Sequence, residues 1–263
     1  MPGKIHEFDN GVRVFDDHLT QIQRDRYDKR NVHEAEEEEI FLNIVSTLPV
    51  RGCFLNIGAA VGYYCILAKL LSPHLTIHAV EPLPRHRKFF DENIALNGLT
   101  PKDFTVRQEA ISIRDGKGSL LDQDYGSVLV AGEPQPLTST IKNLIDVLLA
   151  RRGSKSSETA RRDPFRVRTL SLDHLMRRIG TPVDLLLMDV QGLEVDILKG
   201  GEHSLRTGKI KTLMIGTHGN DIHLECLSIL KAHGFRIEVD NPDPKEQPDG
   251  VLVASLGSSP ASG

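Results

Sequence analysis

The chain has 263 residues, 39% hydrophobic and 26% charged, with a net charge of −4. That balance suits one large α/β domain or two small ones, and it excludes a disordered or fibrous chain. The charge carries no basic signature for nucleic acid, no apolar run reaches the ~18 residues of a membrane span, and nothing at the N-terminus resembles a signal peptide.

A cytoplasmic protein with neither nucleic-acid nor membrane partners is therefore expected. Cys53, Cys65 and Cys226 lie in apolar patterns without C-x-x-C spacing, which predicts buried, reduced thiols. Residues 1–33 read as a polar N-terminal extension, with a short hairpin around Asn10-Gly11, leading into a main domain over 34–257. Residues 31–48 (NVHEAEEEEIFLNIVSTL) predict a helix with Asn31 as a candidate cap and Ile40, Phe41, Ile44, Val45 and Leu48 as its apolar face. Its acidic run suits the helix dipole and is expected to be mostly solvated. His33 and Glu34, where the chain enters the domain, are placed to face a ligand instead.

Residues 54–64 (FLNIGAAVGYY) predict a buried strand, a glycine turn and a helix N-terminus. Glycine permits positive φ and close approach of a ligand, and the helix start offers unpaired N–H groups to a polar or anionic one. The strand at 76–81 ends in Glu81, an acidic residue placed for a ribose diol. A dinucleotide fingerprint needs G-x-G-x-x-G. Here Gly58 and Gly62 stand four apart with no third glycine, which suits a ligand with an adenosine but no pyrophosphate, and S-adenosylmethionine (SAM) is one.

Beyond Pro82 and Pro84, residues 85–99 read as an amphipathic helix stopped at Asn97-Gly98, and 104–107 as a third strand ending at Gln108-Glu109-Ala110-Ile111. Residues 112–168 look irregular, with a turn between short strands at Asp115-Gly116, a helical stretch at 144–149 and a polar surface loop at 151–163. An insertion of this length is expected to form a substrate-side cap. Regularity returns with a helix at 171–179, a strand at 183–190 buried on both faces, a helix at 193–205, a strand at 210–216, and a helix at 222–233. Strands at 235–239 and 251–255 form a closing antiparallel hairpin, and 258–263 a frayed tail.

The fold class follows: α/β, Rossmann-like, a seven-stranded mostly parallel sheet ending in an antiparallel hairpin, with helices on both faces. Five strands end in polar residues, at Asn56/Gly58, Glu81, Glu109, Asp189 and His218. Ligands of open α/β sheets bind outside the carboxyl ends of the strands, so this recurrence predicts one SAM pocket.

The sequence resembles the FkbM family of SAM-dependent methyltransferases. The family's D-x-G-A-x-x-G-x-x appears as Asn56-Ile57-Gly58-Ala59-Ala60-Val61-Gly62-Tyr63-Tyr64, and its V-E-P as Val80-Glu81-Pro82. Its N-x-x-L-N appears as Asn93-Ile94-Ala95-Leu96-Asn97. Its D-x-E-G-x-E-x-x-x-L-x-G appears as Asp189-Val190-Gln191-Gly192-Leu193-Glu194-Val195-Asp196-Ile197-Leu198-Lys199-Gly200, and its T-L-D corresponds loosely to 170–173. The resemblance implies a class I methyltransferase fold and methylation of a hydroxyl on a small molecule, a sugar or a polyketide-like natural product. Two departures stand out. Asn56 replaces the usual Asp, so an amide sits where a carboxylate would meet the methionine amino group. Gln191 replaces the usual Glu, which removes a base or metal ligand at that place.

Strand position assigns the roles. Asn56, Gly58, Ala60 and Gly62 surround the methionine end, with Glu34 near its carboxylate or amine. Glu81 takes both ribose hydroxyls, and Glu109 with the Ala110 and Ile111 backbone takes the adenine. Asp189 and Gln191 lie against cofactor and substrate, and His218 and Asp189 are the candidate bases, a near-neutral histidine pKa fitting that work. A divalent metal on Asp189, Glu194 and His218 is a less favoured option, and no metal is assigned. The sequence leaves room for a homodimer. Two rival readings are an NAD(P)-dependent oxidoreductase, opposed by the missing third glycine, and a non-catalytic SAM-binding protein, kept open by Asn56 and Gln191.

Overall fold

The computed structural model describes residues 3–121, 128–131 and 164–257. The stretches expected as a helix at 144–149, a loop at 151–163 and a tail at 258–263 lie outside the described residues. In chain order the elements begin with β1 (Ile5–Glu7), β2 (Arg13–Phe15), α1 (Gln21–Tyr27), α2 (Ala35–Thr47), β3 (Cys53–Ile57), α3 (Tyr63–Leu71), β4 (Thr76–Val80) and α4 (Pro84–Leu96). Next come β5 (Phe104–Arg107), β6 (Ala110–Ser112), β7 (Gly116–Leu121), β8 (Val128–Ala131), β9 (Phe165–Ser171) and α5 (Leu172–Ile179). The chain continues through β10 (Val183–Met188), α6 (Glu194–Lys199), α7 (Glu202–Arg206), β11 (Ile210–Thr217), α8 (Asn220–Ala232), β12 (Phe235–Asn241) and β13 (Gly250–Leu256).

The main sheet has seven strands in the order β12-β13-β11-β10-β3-β4-β5. β5, β4, β3, β10 and β11 run parallel, and β13 is antiparallel to both β11 and β12. The near-continuous apolar strands follow from burial on both faces. Phe54, Ile77, Leu185, Leu187 and Met214 pack on one face with Phe41 and Val45 of α2, Ile66 of α3 and Phe90 of α4. Leu55, Ile57, Leu186, Met188 and Leu213 pack on the other with Leu172 and Leu175 of α5, Ile197 of α6 and Leu230 of α8. The alternation along each strand is the pleat itself. Cys53, Cys65 and Cys226 are free and buried, as expected.

Several elements depart from the sequence reading. The N-terminal extension is not merely polar: Phe8, Val12, Val14, Leu19 and Tyr27 join the core beside Tyr63 and Phe90. Asn97 clamps β2 through both backbone groups of Arg13 (2.9 and 2.7 Å), and Asn93 accepts from Phe15 N–H at 3.1 Å. Asn31 caps no helix; its amide bonds Glu7 and Asp9, and α2 starts after Glu34. The expected helix over 193–205 is two, α6 and α7. The chain bends between them where a Cβ on Gly200 would lie 2.5 Å from Ser112 O and one on Gly201 2.5 Å from Leu172. Residues 112–168 are not simply irregular, because β6, β9, β7 and β8 form a second sheet in that order. Among the described residues no helix is long and apolar enough to cross a membrane.

Candidate active site at the carboxyl edge of the sheet

The glycine turn after β3 is shaped by its neighbours. Gly58 has φ +89°, and a Cβ there would lie 1.9 Å from the carbonyl oxygen of Asp189. Gly62 has φ +87°, and its Cβ would meet the Phe90 ring at 2.0 Å. The space expected to admit a ligand at these two glycines is therefore taken by the chain leaving β10 and by α4. Ala60, between them, also has positive φ, at +46°. Gly58 and Ala59 both donate to Val80 O at 3.0 Å, which welds the turn to the end of β4.

Glu81 sits at that same end, buried. Its Oε2 accepts from Ala60 N–H and its Oε1 from Leu83 N–H, both at 2.8 Å. These bonds fix the carboxylate and hold the turn. Each oxygen keeps a further lone pair, so the group can still accept from a diol.

The acidic run at the start of α2 is not a solvated helix start. Glu34, Glu37 and Glu38 are buried, and of the run only Glu39 is exposed. Glu38 is structural: it accepts from Tyr63 Oη at 2.6 Å, Asn10 Nδ2 at 2.9 Å and His33 N–H at 3.1 Å. His33, which the sequence placed toward a ligand, packs between Tyr27 and Tyr63, and burial drives its pKa down to about 3. Glu36 accepts from Asn241 Nδ2 and Lys245 N–H, joining α2 to the end of β12 and to the loop that follows it. Glu34 pairs with Arg26 of α1 at 3.4 Å. Glu37 is 1% exposed, and neither of its oxygens has a donor. Burial, reinforced by Glu34 and Asp189, raises its pKa well above the usual carboxylate range.

At the ends of β10 and β11 the side chains converge on His218. Its Nδ1 lies 2.5 Å from Glu194 Oε1, and its Nε2 lies 2.7 Å from Gln191 Nε2 and 3.4 Å from both Asp189 and Asp249. Glu194 is fully buried at the start of α6. Burial alone would lower the His218 pKa, but the hydrogen bonds to Asp249 and Glu194 and the charge of Asp189 outweigh it and hold it well above its ordinary value. Asp189, whose side chain is 37% exposed, is raised as well, toward its neutral form. Burial lifts it to about 7, with Glu34, Asp249 and Glu194 acting in the same sense and His218 opposing. The near-neutral imidazole expected from the sequence is thus replaced by an imidazolium beside a carboxyl of near-neutral pKa. Two nitrogens cannot donate to each other, so a charged ring requires the Gln191 amide to present its oxygen.

Glu109 lies apart from this group. It is bonded to Arg178 Nη1 at 2.5 Å and lines a cleft of about 450 Å³ with Arg87, Asp91, Arg107 and Gln108 beside the edge strand β5. Burial raises its pKa, but the Arg178 hydrogen bond and the charges of Arg178 and Arg107 prevail and lower it. Ala110 and Ile111 are buried in β6, whose ladder to β9 leaves its other edge out of the small sheet.

The structure therefore gathers Asp189, Gln191 and His218 at the carboxyl ends of β10 and β11, with Glu34 near enough for its charge to act on Asp189. Asn56, Gly58, Ala60, Gly62 and Glu81 lie along the adjoining turn, and Glu109, Ala110 and Ile111 beyond them. Glu37, Asp249 and Tyr64 were missed. For Glu37 a signal existed: it stands four residues before Phe41 on a 3.6-residue period, so the rotation that buries Phe41 buries it too. Asp249, on the loop before β13, gave none. Among the described residues no group of three or more His, Cys, Asp or Glu side chains is arranged to hold a metal ion.

The chain is similar to known proteins along most of its length. It is 27% identical over 213 residues to a Jannaschia sp. (strain CCS1) protein named "Putative methyltransferase", covering 77% of this chain and 68% of that one. It is 23% identical over 235 residues to the AMB antimetabolite synthetase AmbE of Pseudomonas aeruginosa, covering 80% of this chain and only 11% of that much longer protein. Among solved structures it is similar to precorrin-6y C5,15-methyltransferase of Geobacter metallireducens GS-15, with a TM-score of 0.46, 14% identity and coverage of 87% and 92% of the two chains. The model of the methyltransferase FkbM domain matches residues 56–237, from the amide that opens the glycine turn to the middle of β12. With well over half of its length inside that match, the chain belongs to the FkbM methyltransferase family.

Proposed function

We propose that this methyltransferase uses SAM as its donor and methylates a hydroxyl of a small molecule, a sugar or a polyketide-like compound. One observation carries the donor assignment. Five carboxyl groups (Glu34, Glu37, Asp189, Glu194 and Asp249) crowd the carboxyl edge of the sheet against two cations, Arg26 and His218. Such a surplus suits a ligand that brings a sulfonium and an ammonium, and it repels a pyrophosphate, which disfavours NAD(P). The buried, unpartnered Asn56 Oδ1 and Glu37 oxygens fit the donor's amino-acid end. The first-turn N–H groups of α3 suit its carboxylate, and Glu81 its ribose. When bound, SAM supplies an electrophilic methyl group on a cationic sulfur.

Asp189 is the base in this reading. Its pKa of about 7 matches the task of taking a hydroxyl proton as the new O–C bond forms. His218, held by Glu194 from behind, fixes the position of Asp189 and is a positioning residue. The acceptor class rests on the family resemblance.

Release of S-adenosylhomocysteine on incubation with SAM and a panel of sugars and polyketide-like alcohols tests the reading. Turnover with at least one alcohol is expected, and Asp189→Asn should lower kcat by about 10²- to 10⁴-fold, well beyond any loss of SAM affinity. A protein that binds SAM but turns over no alcohol would instead favour the non-catalytic reading.

A further inference from the structure

We infer that Glu37 receives the ammonium of the donor's amino-acid group, supplying from α2 the carboxylate that Asn56 does not supply from β3. This rests on the SAM reading above.

Asn56 is 2% exposed; its Nδ2 is engaged by Cys65 Sγ at 3.6 Å, and its Oδ1 has no donor. An amide oxygen there accepts a hydrogen bond but brings no charge. Glu37 does bring charge, and both of its oxygens are buried without a donor. Glu34, one helical turn earlier, is already paired with Arg26. Tyr64 Oη, in the first turn of α3, is a further buried group without a partner, and its titration responds first to burial and then to Glu37 and Glu34. The charges of Glu34, Asp189 and Asp249 all act on Glu37, and Glu37 in turn acts on Tyr64.

A buried carboxylate with no partner costs several kcal/mol, so folding alone does not account for Glu37. Ligand-free, burial and the charges of Glu34 and Asp189 favour its neutral form, and a cation bound beside it would favour the carboxylate. An ammonium matches the unpaired set: it has three donors, one positive charge and no acceptor.

The experiment compares two ligands on three proteins by calorimetry. S-adenosylhomocysteine carries the ammonium; 5′-methylthioadenosine keeps the adenosine and the thioether and lacks the amino acid. Glu37→Gln should weaken S-adenosylhomocysteine about 10- to 100-fold, the worth of a charge-assisted hydrogen bond, and leave 5′-methylthioadenosine unchanged. Glu37→Leu should bind like Glu37→Gln and melt, ligand-free, no lower than the unsubstituted protein. Equal weakening of both ligands, or of neither, overturns the assignment. A melting temperature several degrees lower in both variants also overturns it, by making Glu37 structural. An unsubstituted protein that binds neither ligand overturns the donor reading itself.

Discussion

Asn56 lies in β3 and Glu81 just after β4, the next strand, yet they bracket the same turn and behave differently on substitution. Asn56→Asp should tighten SAM binding by adding a charge-assisted partner for the ammonium. It should also lower ligand-free stability, because it places a further carboxylate in a buried, already acidic site. Paired melts and titrations check both halves; an Asp variant with unchanged or weaker affinity would show that the Asn56 amide does not stand in for the missing carboxylate. Glu81→Ala leaves the Ala60 and Leu83 N–H groups without their acceptor. That should cost about 1–3 kcal/mol for each donor left buried and unpaired, and abolish SAM-induced stabilisation, as read by denaturation with and without ligand. Glu81 was legible because a strand end and its distance from the glycine turn locate it without knowledge of packing. Glu37 was harder to read: its place four residues before Phe41 on α2 is a signal, but acids near a helix start are ordinarily solvated, and the packing of α2 decides that this one turns inward.

At the level of elements, the glycines act through packing as much as through φ. Gly58→Ala would drive a methyl group into the Asp189 backbone, and Gly62→Ala into the Phe90 ring, each at positive φ. Backbone strain and overpacking together should cost about 2–6 kcal/mol at either site, measured by urea denaturation. The Gly58 variant should suffer more, since a backbone carbonyl yields less than a ring. Strands of the main sheet were legible because burial on two faces leaves long apolar runs. The small sheet was not: β9 alternates exposed and buried residues, and its partners β6 and β7 precede it by about fifty residues. The break at Gly200–Gly201 was hidden for a similar reason, since α5 and the end of β6 cause it.

Across the whole molecule, the acidic edge sets a pH dependence. Asp189 titrates at about 7 in the folded chain against 3.8 for the unperturbed group. The folded state therefore holds the proton more tightly, and ligand-free stability should fall as pH rises from about 4 to about 7. His218, raised above its ordinary 6.5, contributes stability below that value and loses it as pH climbs through its folded pKa, which continues the decline. Asp189→Asn should flatten the first part of the curve in melts taken across that range. A cationic ligand favours the ionised carboxylate, so SAM affinity should rise over the same window, with a proton released on binding. The seven-stranded sheet and its active edge were visible as a row of polar strand ends, but the charge balance there depends on Asp249 and Glu37, whose roles only the folded chain reveals.

A ligand titration followed by thermal melting reads SAM binding at this edge without an acceptor. At about 100 times its dissociation constant SAM should stabilise the protein by about 2.7 kcal/mol, raising Tm by roughly 5–10 °C, while NAD at the same concentration does nothing. No shift with SAM, or an equal shift with NAD, would overturn SAM binding at this edge.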